Sequence, residues 1–252
     1  VAIAVRERAT AEPDQPGDVD VTSDRVSAVR QFVPFAPDVA WILLVAPTRL
    51  LLIPADHPNV SWRRHDEIGR GDLHEVTFRH VPLTDTVDLA GQNGAAVWAD
   101  SLVKARIRHA AYLLGLSQAA LDETIAYARQ RQQFGQPIGR FQALAFRLAD
   151  ATTRTEAARL LVFLAAWQAD AEQDARLTSL EALSTTADLA RHVTTEAIQL
   201  HGAIGMTEDH DAQLFYRRAA VDTLLLGRPT ELRRRAAALL STKYRVSVDG
   251  LT

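Results

Sequence analysis

Up to about Asp88 the apolar positions fall in short runs, VAIAV, VAWILLVA and LLLIP, separated by the turn-forming stretches PDQPGD, PTR and PADHPN. Runs of that length between clusters of Pro, Gly and Asp predict β-strands. Trp41 to Ala46, then Pro47-Thr48-Arg49, then Leu50 to Ile53 predict a hairpin of two buried strands, and Leu73 to Val81 alternates as a further strand. From about Ala96 the period changes. Val103, Ile107, Ala110, Leu114, Leu121, Ile125 and Ala128 recur at steps of three and four, with only Gln118 interrupting the stripe, which predicts one amphipathic helix of more than 30 residues.

That helix ends in FGQPIG, where Gly135, Pro137 and Gly139 stop it soon after Gln133 and let a second start near Arg140. The second helix carries Phe141, Leu144, Leu148, Ala151, Ala158 and Val162 on one face and runs to about Ala171, with EQDAR as its exposed exit. Thr178 followed by Glu181 has the spacing of a capping box for a third helix, which continues through Leu183, Ala187 and Ala190 to Leu200. After HGAIGMTEDH a fourth helix spans about His210 to Leu224, and a fifth takes Glu231 to Leu240 with Pro229 at its first turn. The fold class expected is α+β: a small β-barrel-like domain over residues 1–90, then an antiparallel helix bundle over residues 91–252. Alanine-rich faces at Ala157, Ala158, Ala165, Ala166, Ala187 and Ala190 leave more apolar helix surface than few aromatics can cover, so the bundle is expected to oligomerise.

Composition narrows the function. With 252 residues the chain is long enough for a substantial core. A net charge of -3 points away from nucleic acid, and the clusters Trp62-Arg63-Arg64-His65 and Arg233-Arg234-Arg235 lie among acids as solvated faces. No apolar run approaches a membrane span and the opening VAIAVRERAT has no signal-peptide pattern, so a soluble, cytoplasmic protein is expected. Zero cysteines exclude disulfides and thiolate chemistry. The eight histidines show no His-x-x-x-His spacing; His201 and His210 read as ligands or as hydrogen-bonded structural residues, and no metal centre is expected. No Gly-x-Gly-x-x-Gly and no phosphate loop occur. Arg131, just before the FGQPIG break, has two readings from the residues alone: it complements the negative end of the helix dipole, or its guanidinium forks onto a ligand phosphate.

Tyr127 to Gln142, Gln199 to Asp209 and Arg217 to Arg234 together resemble the acyl-CoA dehydrogenase family, most strongly after residue 110. In that family an Arg-x-x-Phe-Gly-x-Pro-Ile segment reaches the FAD held mainly by a neighbouring subunit. It is matched here by Arg131, Phe134, Gly135, Pro137 and Ile138, so the resemblance implies Arg131 on the flavin pyrophosphate. A Gln-x-x-Gly-Gly-x-Gly segment approaches the adenosine side, matched by Gln199, Gly202 and Gly205, with Ala203 at the middle glycine. The implied cofactor-binding residues are Arg131, Phe134, Gln199 and Gly202.

The departures are as informative. The family removes an α-hydrogen of an acyl-CoA with a carboxylate, so a base is required. In most members it is a glutamate in a Tyr-Glu-Gly-Thr-type segment, and counting nine residues on from Arg218 and three back from Thr230 puts that position on Gly227. A minority carry it on the first long helix, near Ala105 here. Neither residue takes a proton. Glu231 follows the empty position by about one turn, but its counterpart faces the nucleotide. The family's Thr-Glu-Pro-type strand is Arg6-Glu7-Arg8, and its Trp-Ile-Thr strand is Phe32-Val33-Pro34, where proline offers no donor. The family's N-terminal helical domain has no counterpart in the sequence.

Those asymmetries resemble the non-catalytic partners in heteromeric acyl-CoA dehydrogenases of actinobacteria, some acting on steroid side chains. The resemblance implies a catalytic partner subunit, or self, that holds the flavin ring, the base and most of the acyl-CoA site. The alternatives are a non-oxidative enzyme, for a cyclisation or dehydration in natural-product assembly, and a cofactor-free structural bundle.

Overall fold

The computed structural model describes residues 1–6, 12–22 and 24–243. The chain divides into two compact units, Val1–Leu102 and the described residues from Val103 onward.

The first unit is built of short strands that read in the sequence as apolar runs. One four-stranded sheet has the order β1 (Ala2–Ala4), β4 (Trp41–Val45), β5 (Leu50–Pro54), β8 (Val87–Asp88). β1 runs parallel to β4, and β4 and β5 form the expected hairpin, with Trp41 opposite Pro54 and Val45 opposite Leu50. The other sheet is antiparallel, ordered β2 (Asp20–Val21), β3 (Arg25–Pro34), β7 (Leu73–Pro82), β6 (Val60–Arg64). Ile42, Leu44, Leu51 and Ile53 from the first sheet and Val26, Val33, Val76 and Phe78 from the second share one buried cluster. The barrel-like expectation is thus realised as two open sheets around a common core, with no closed barrel among the described residues. β3 is bent where its register against β7 shifts between Arg30 and Val33, and Phe32 takes φ 56 at that bulge.

The long helix α1 (Gly94–Gln130) has 37 residues, about 55 Å at 1.5 Å per residue. Its first turns belong with the strand unit, where Trp98 Nε1 donates to the carbonyl of Pro13 at 2.7 Å. Farther along, Ile107, Ala110, Leu114, Leu121 and Ala128 are buried as the stripe requires. Gln118, the one polar interruption, is satisfied: it accepts from Arg159 at 2.8 Å and donates to Asp122.

The bundle continues through α2 (Gln142–Asp170), α3 (Arg176–His201), α4 (Ala212–Asp222) and α5 (Pro229–Lys243). α3 is the central helix, with α2, α4 and α5 all packed on it. Its buried Ser179, Thr186 and Thr194 hydroxyls donate back to carbonyls one turn earlier, so these three hydroxyls sit in the core satisfied. The expected capping box does not form. α3 starts at Arg176, so Thr178 already lies in the first turn and donates to Gln168 and to the Ala175 carbonyl; Asp174 Oδ1 instead accepts from the Arg176 N–H at 3.1 Å. α5 does open as expected, with Pro229 as its first residue, where a missing N–H costs no helical hydrogen bond. No helix among the described residues is long and apolar enough to cross a membrane.

The alanine faces also need correcting. Ala158, Ala165, Ala187 and Ala190 are buried inside the chain's own bundle and are unavailable to another chain. The apolar surface left over lies elsewhere on α2: Phe146, Leu160, Phe163 and Trp167 are exposed, Leu160 at 68%. Phe146, Leu160 and Trp167 fall on one face at multiples of seven residues, the spacing of a helix-packing seam. Leu160→Glu combined with Trp167→Glu is therefore expected to reduce assembly size without unfolding the chain, since neither side chain serves the core. Light scattering at micromolar concentration checks this; a monomeric parent, or a double variant of unchanged mass, contradicts it.

Candidate functional site

At the end of α1 the chain turns back on itself in two two-residue strands, β9 (Gln132–Gln133) and β10 (Gln136–Pro137). Phe134 at φ 50 and Gly135 at φ 78 are the two turn residues, both left-handed as a type I′ turn requires. Glycine adopts this freely; a bulky residue there costs on the order of 1–3 kcal/mol and persists where something else rewards it. Phe134 is also 92% exposed, with the Phe141 ring edge-on to it at 6.1 Å between centroids. Arg131 closes the hairpin through its backbone, donating to Tyr127 and accepting from Ile138, both at 2.8 Å. Its side chain is exposed and forms no ion pair with any described residue. The guanidinium is thus displayed rather than used.

A second corner is the C-terminus of α3. Gln199 is exposed, His201 is buried, and Gly202 ends the helix at φ 66, ψ −140 with its N–H directed to the carbonyls of Ile198 and Gln199. Beyond its chain neighbours, no heavy atom lies within 4 Å of where a Cβ on Gly202 would stand. The glycine is demanded by backbone conformation, and the space above it is open. The two corners are joined: the Tyr127 ring, one turn before Arg131, lies 4.3 Å from the ring of His201, which sits between Gln199 and Gly202. Sequence reasoning named Arg131, Phe134, Gln199 and Gly202 but missed Tyr127 as the residue that ties them.

The region around Gly227 is closed. Gly227 takes φ 129, and a Cβ there would meet Leu232 Cδ2 at 2.7 Å; Leu232 is fully buried. Arg106, buried beside the half-buried Ala105, donates from Nε to the Leu226 carbonyl at 3.1 Å and its Nη2 lies 3.6 Å from that same Cβ place. Nearby, Tyr112 donates to Asp222 Oδ2 and His109 Nε2 to the Asp222 carbonyl, both at 2.6 Å. Burial, together with the Asp222 carboxylate, holds the Tyr112 phenol above its ordinary range. Glu231 is not a spare base. It is paired with Arg234 at 2.6 Å and Arg235 at 2.9 Å, which hold its carboxyl at about 2.

In the strand unit Val33 is fully buried in the core and the Phe32 ring stacks on His65 at 4.7 Å. Arg6 bridges Gln31 through backbone, whereas Glu7 and Arg8 of the same segment lie outside the described residues.

Residues 92–239 match the family model described as the acyl-CoA dehydrogenase C-terminal domain. The chain belongs to the acyl-CoA dehydrogenase family. Over 131 residues it is 42% identical to acyl-CoA dehydrogenase IpdE2 of Mycolicibacterium smegmatis, covering 51% of this chain and 40% of that one. Over 122 residues it is 39% identical to the 3-(aryl)acrylate reductase of Clostridium sporogenes, covering 48% of this chain and 32% of the relative. The matches thus span less than half the length of these curated relatives. Among solved structures, a chain of the ChsE4-ChsE5 complex from Mycobacterium tuberculosis superposes with a TM-score of 0.82 at 25% identity, over 95% of this chain and 65% of that one. As an acyl-CoA dehydrogenase relative, the chain has its α+β architecture explained across both units.

Proposed function

We propose that this chain is a base-less subunit of a cytoplasmic, heteromeric acyl-CoA dehydrogenase. It lends Arg131, Phe134, Gln199 and Gly202 to an FAD whose ring, catalytic carboxylate and acyl-CoA site reside mainly on a complete partner subunit, with lipid or steroid thioesters as the substrate class.

The observation that carries the reading is Gly227. At φ 129 and with Leu232 Cδ2 2.7 Å from its would-be Cβ, the backbone has no room for the side chain that the resemblance expects there. Ala105 is equally without a proton acceptor, and Glu231 is committed to Arg234 and Arg235. The residues present suit one end of FAD. An exposed guanidinium without an ion pair is a fork for a pyrophosphate, and open space above Gly202 admits close approach of a ligand to backbone. They do not suit the ring end: Pro34 brings no donor, Val33 points into the core, and His65 covers Phe32. Bound FAD supplies the hydride acceptor for α,β-dehydrogenation; this chain's part is to bind the nucleotide and orient it. Likeness to a chain of the ChsE4-ChsE5 complex supports an assembly of two kinds of chain.

A second reading, a homo-oligomer carrying out a non-oxidative reaction, is favoured by the Tyr112, His109 and Asp222 group beside the Gly227 segment. Flavin content separates the two. The purified chain alone is expected to be colourless and to become yellow only when co-expressed with a complete acyl-CoA dehydrogenase subunit from its own source. A yellow homo-oligomer, or a chain that takes up no flavin with any such subunit, overturns the heteromeric reading.

A further inference from the structure

The junction of the two exposed corners is made of titratable rings. His201 is 4% exposed, and its ring lies 4.3 Å from Tyr127 and 4.3 Å from His210, whose own rings meet edge-on at 6.1 Å, so the three rings form a triangular cluster. Hydrogen bonding fixes both tautomers. His201 Nδ1 lies 2.7 Å from the Ala197 carbonyl, which can only accept, so Nδ1 carries the proton. Its Nε2 is then a bare lone pair, buried and without a hydrogen-bond partner among the described residues. His210 Nδ1 accepts from the N–H of Ala212, the first residue of α4, at 3.2 Å, which leaves its proton on Nε2, 3.7 Å from Glu123 Oε1.

A further proton on His201 has no harmless place to go. On His201 Nε2 it creates a charge in a dry site with no acceptor. The groups facing the pair are Glu123 and Tyr127 from α1 and His210 itself from the turn before α4. The 3-10 turn Gly202–Met206 brings no titratable residue, and Asp209 and Asp211 flank His210 from exposed positions.

We infer that the Tyr127, His201 and His210 ring cluster is a proton-operated latch: with the His201 imidazole neutral it ties the Arg131 corner to the Gln199–Gly202 corner, and a proton on His201 unties them. Burial pushes the His201 imidazole below its ordinary range and His210 adds to this, with the Ala197 carbonyl and Glu123 acting against it. Below the ordinary value of about 6.5 the unfolded chain takes up a proton that the folded ring refuses, so acid favours unfolding from that pH down to the lowered value. Release of flavin by the same proton rests on the FAD reading above; the latch itself does not.

The test is histidine NMR titration of the chain, with thermal unfolding followed from about pH 7.5 to about pH 5.5, a window around the ordinary histidine value, in wild type and His201→Phe. Phenylalanine keeps a ring in the cluster and removes the proton site. The expected results are a His201 pKa below the ordinary value of about 6.5, a fall in Tm toward the acid end in wild type, and a smaller fall in the variant. A wild-type His201 pKa at or above that ordinary value, or an identical pH dependence in a folded His201→Phe, overturns the latch; the first readout stands even where the variant does not fold. In a yellow complex, flavin retention is expected to drop over the same pH range, and retention unchanged while His201 titrates overturns the coupling. A chain that takes up no flavin at any pH refutes the FAD reading and leaves the latch to be judged on the NMR result.

Discussion

Gly227→Glu is expected to leave the chain without dehydrogenase activity and to destabilise it by about 1–3 kcal/mol, even though it places a carboxylate where the family's base is expected. The cost has two sources. A φ of 129 is open to glycine and strained for every L side chain. A Cβ at that place is 2.7 Å from Leu232 Cδ2, and Leu232 cannot swing aside because it is fully buried in the bundle core. The carboxylate would then have to pass Arg106, whose guanidinium stands 3.6 Å from the Cβ place and pairs with a glutamate more readily than it leaves one free as a base. Denaturant unfolding reads the stability, and acyl-CoA-dependent reduction of an electron acceptor reads the chemistry. Turnover by Gly227→Glu without an added partner contradicts the account, because it means that the site lacked only the residue and not the room for it.

Arg131→Lys is expected to weaken FAD retention by the co-expressed complex roughly tenfold, about 1.4 kcal/mol, since an ammonium cannot reproduce a planar fork on a pyrophosphate. The chain's own stability should not change, as the Arg131 side chain is exposed and forms no ion pair with any described residue. That separation of effects is what distinguishes a ligand contact from a helix-dipole contact, for which lysine serves nearly as well. Equal FAD occupancy of the two complexes at flavin concentrations near the dissociation constant returns Arg131 to the dipole role.

Much of the fold was legible because its signals are local. The β4 and β5 hairpin follows from two apolar runs flanking Pro47-Thr48-Arg49, and α1 from a stripe at steps of three and four. What escaped depends on competition or on distance. Thr178 and Glu181 have capping-box spacing, but Asp174 lies closer to the helix start and takes the N–H of Arg176. The turn at Phe134 and Gly135 carries no Asn-Gly or Asp-Gly signature, and a phenylalanine at a left-handed position gives no propensity signal at all. Tyr127 and His201 are 74 residues apart in the chain, so no window along the sequence pairs their rings. The glycine that the resemblance sets at the base position, Gly227, can be read in the letters; the wall that Leu232 makes behind it cannot.

A structure of the yellow complex, determined after co-expression and with the flavin in place, decides whether this chain shares its FAD with a partner. The expected result is FAD bridging two different chains, with its pyrophosphate against Arg131 of this chain and its isoalloxazine beside a carboxylate of the partner. An FAD whose ring and nucleotide both lie against copies of this chain, or whose pyrophosphate lies away from Arg131, contradicts it.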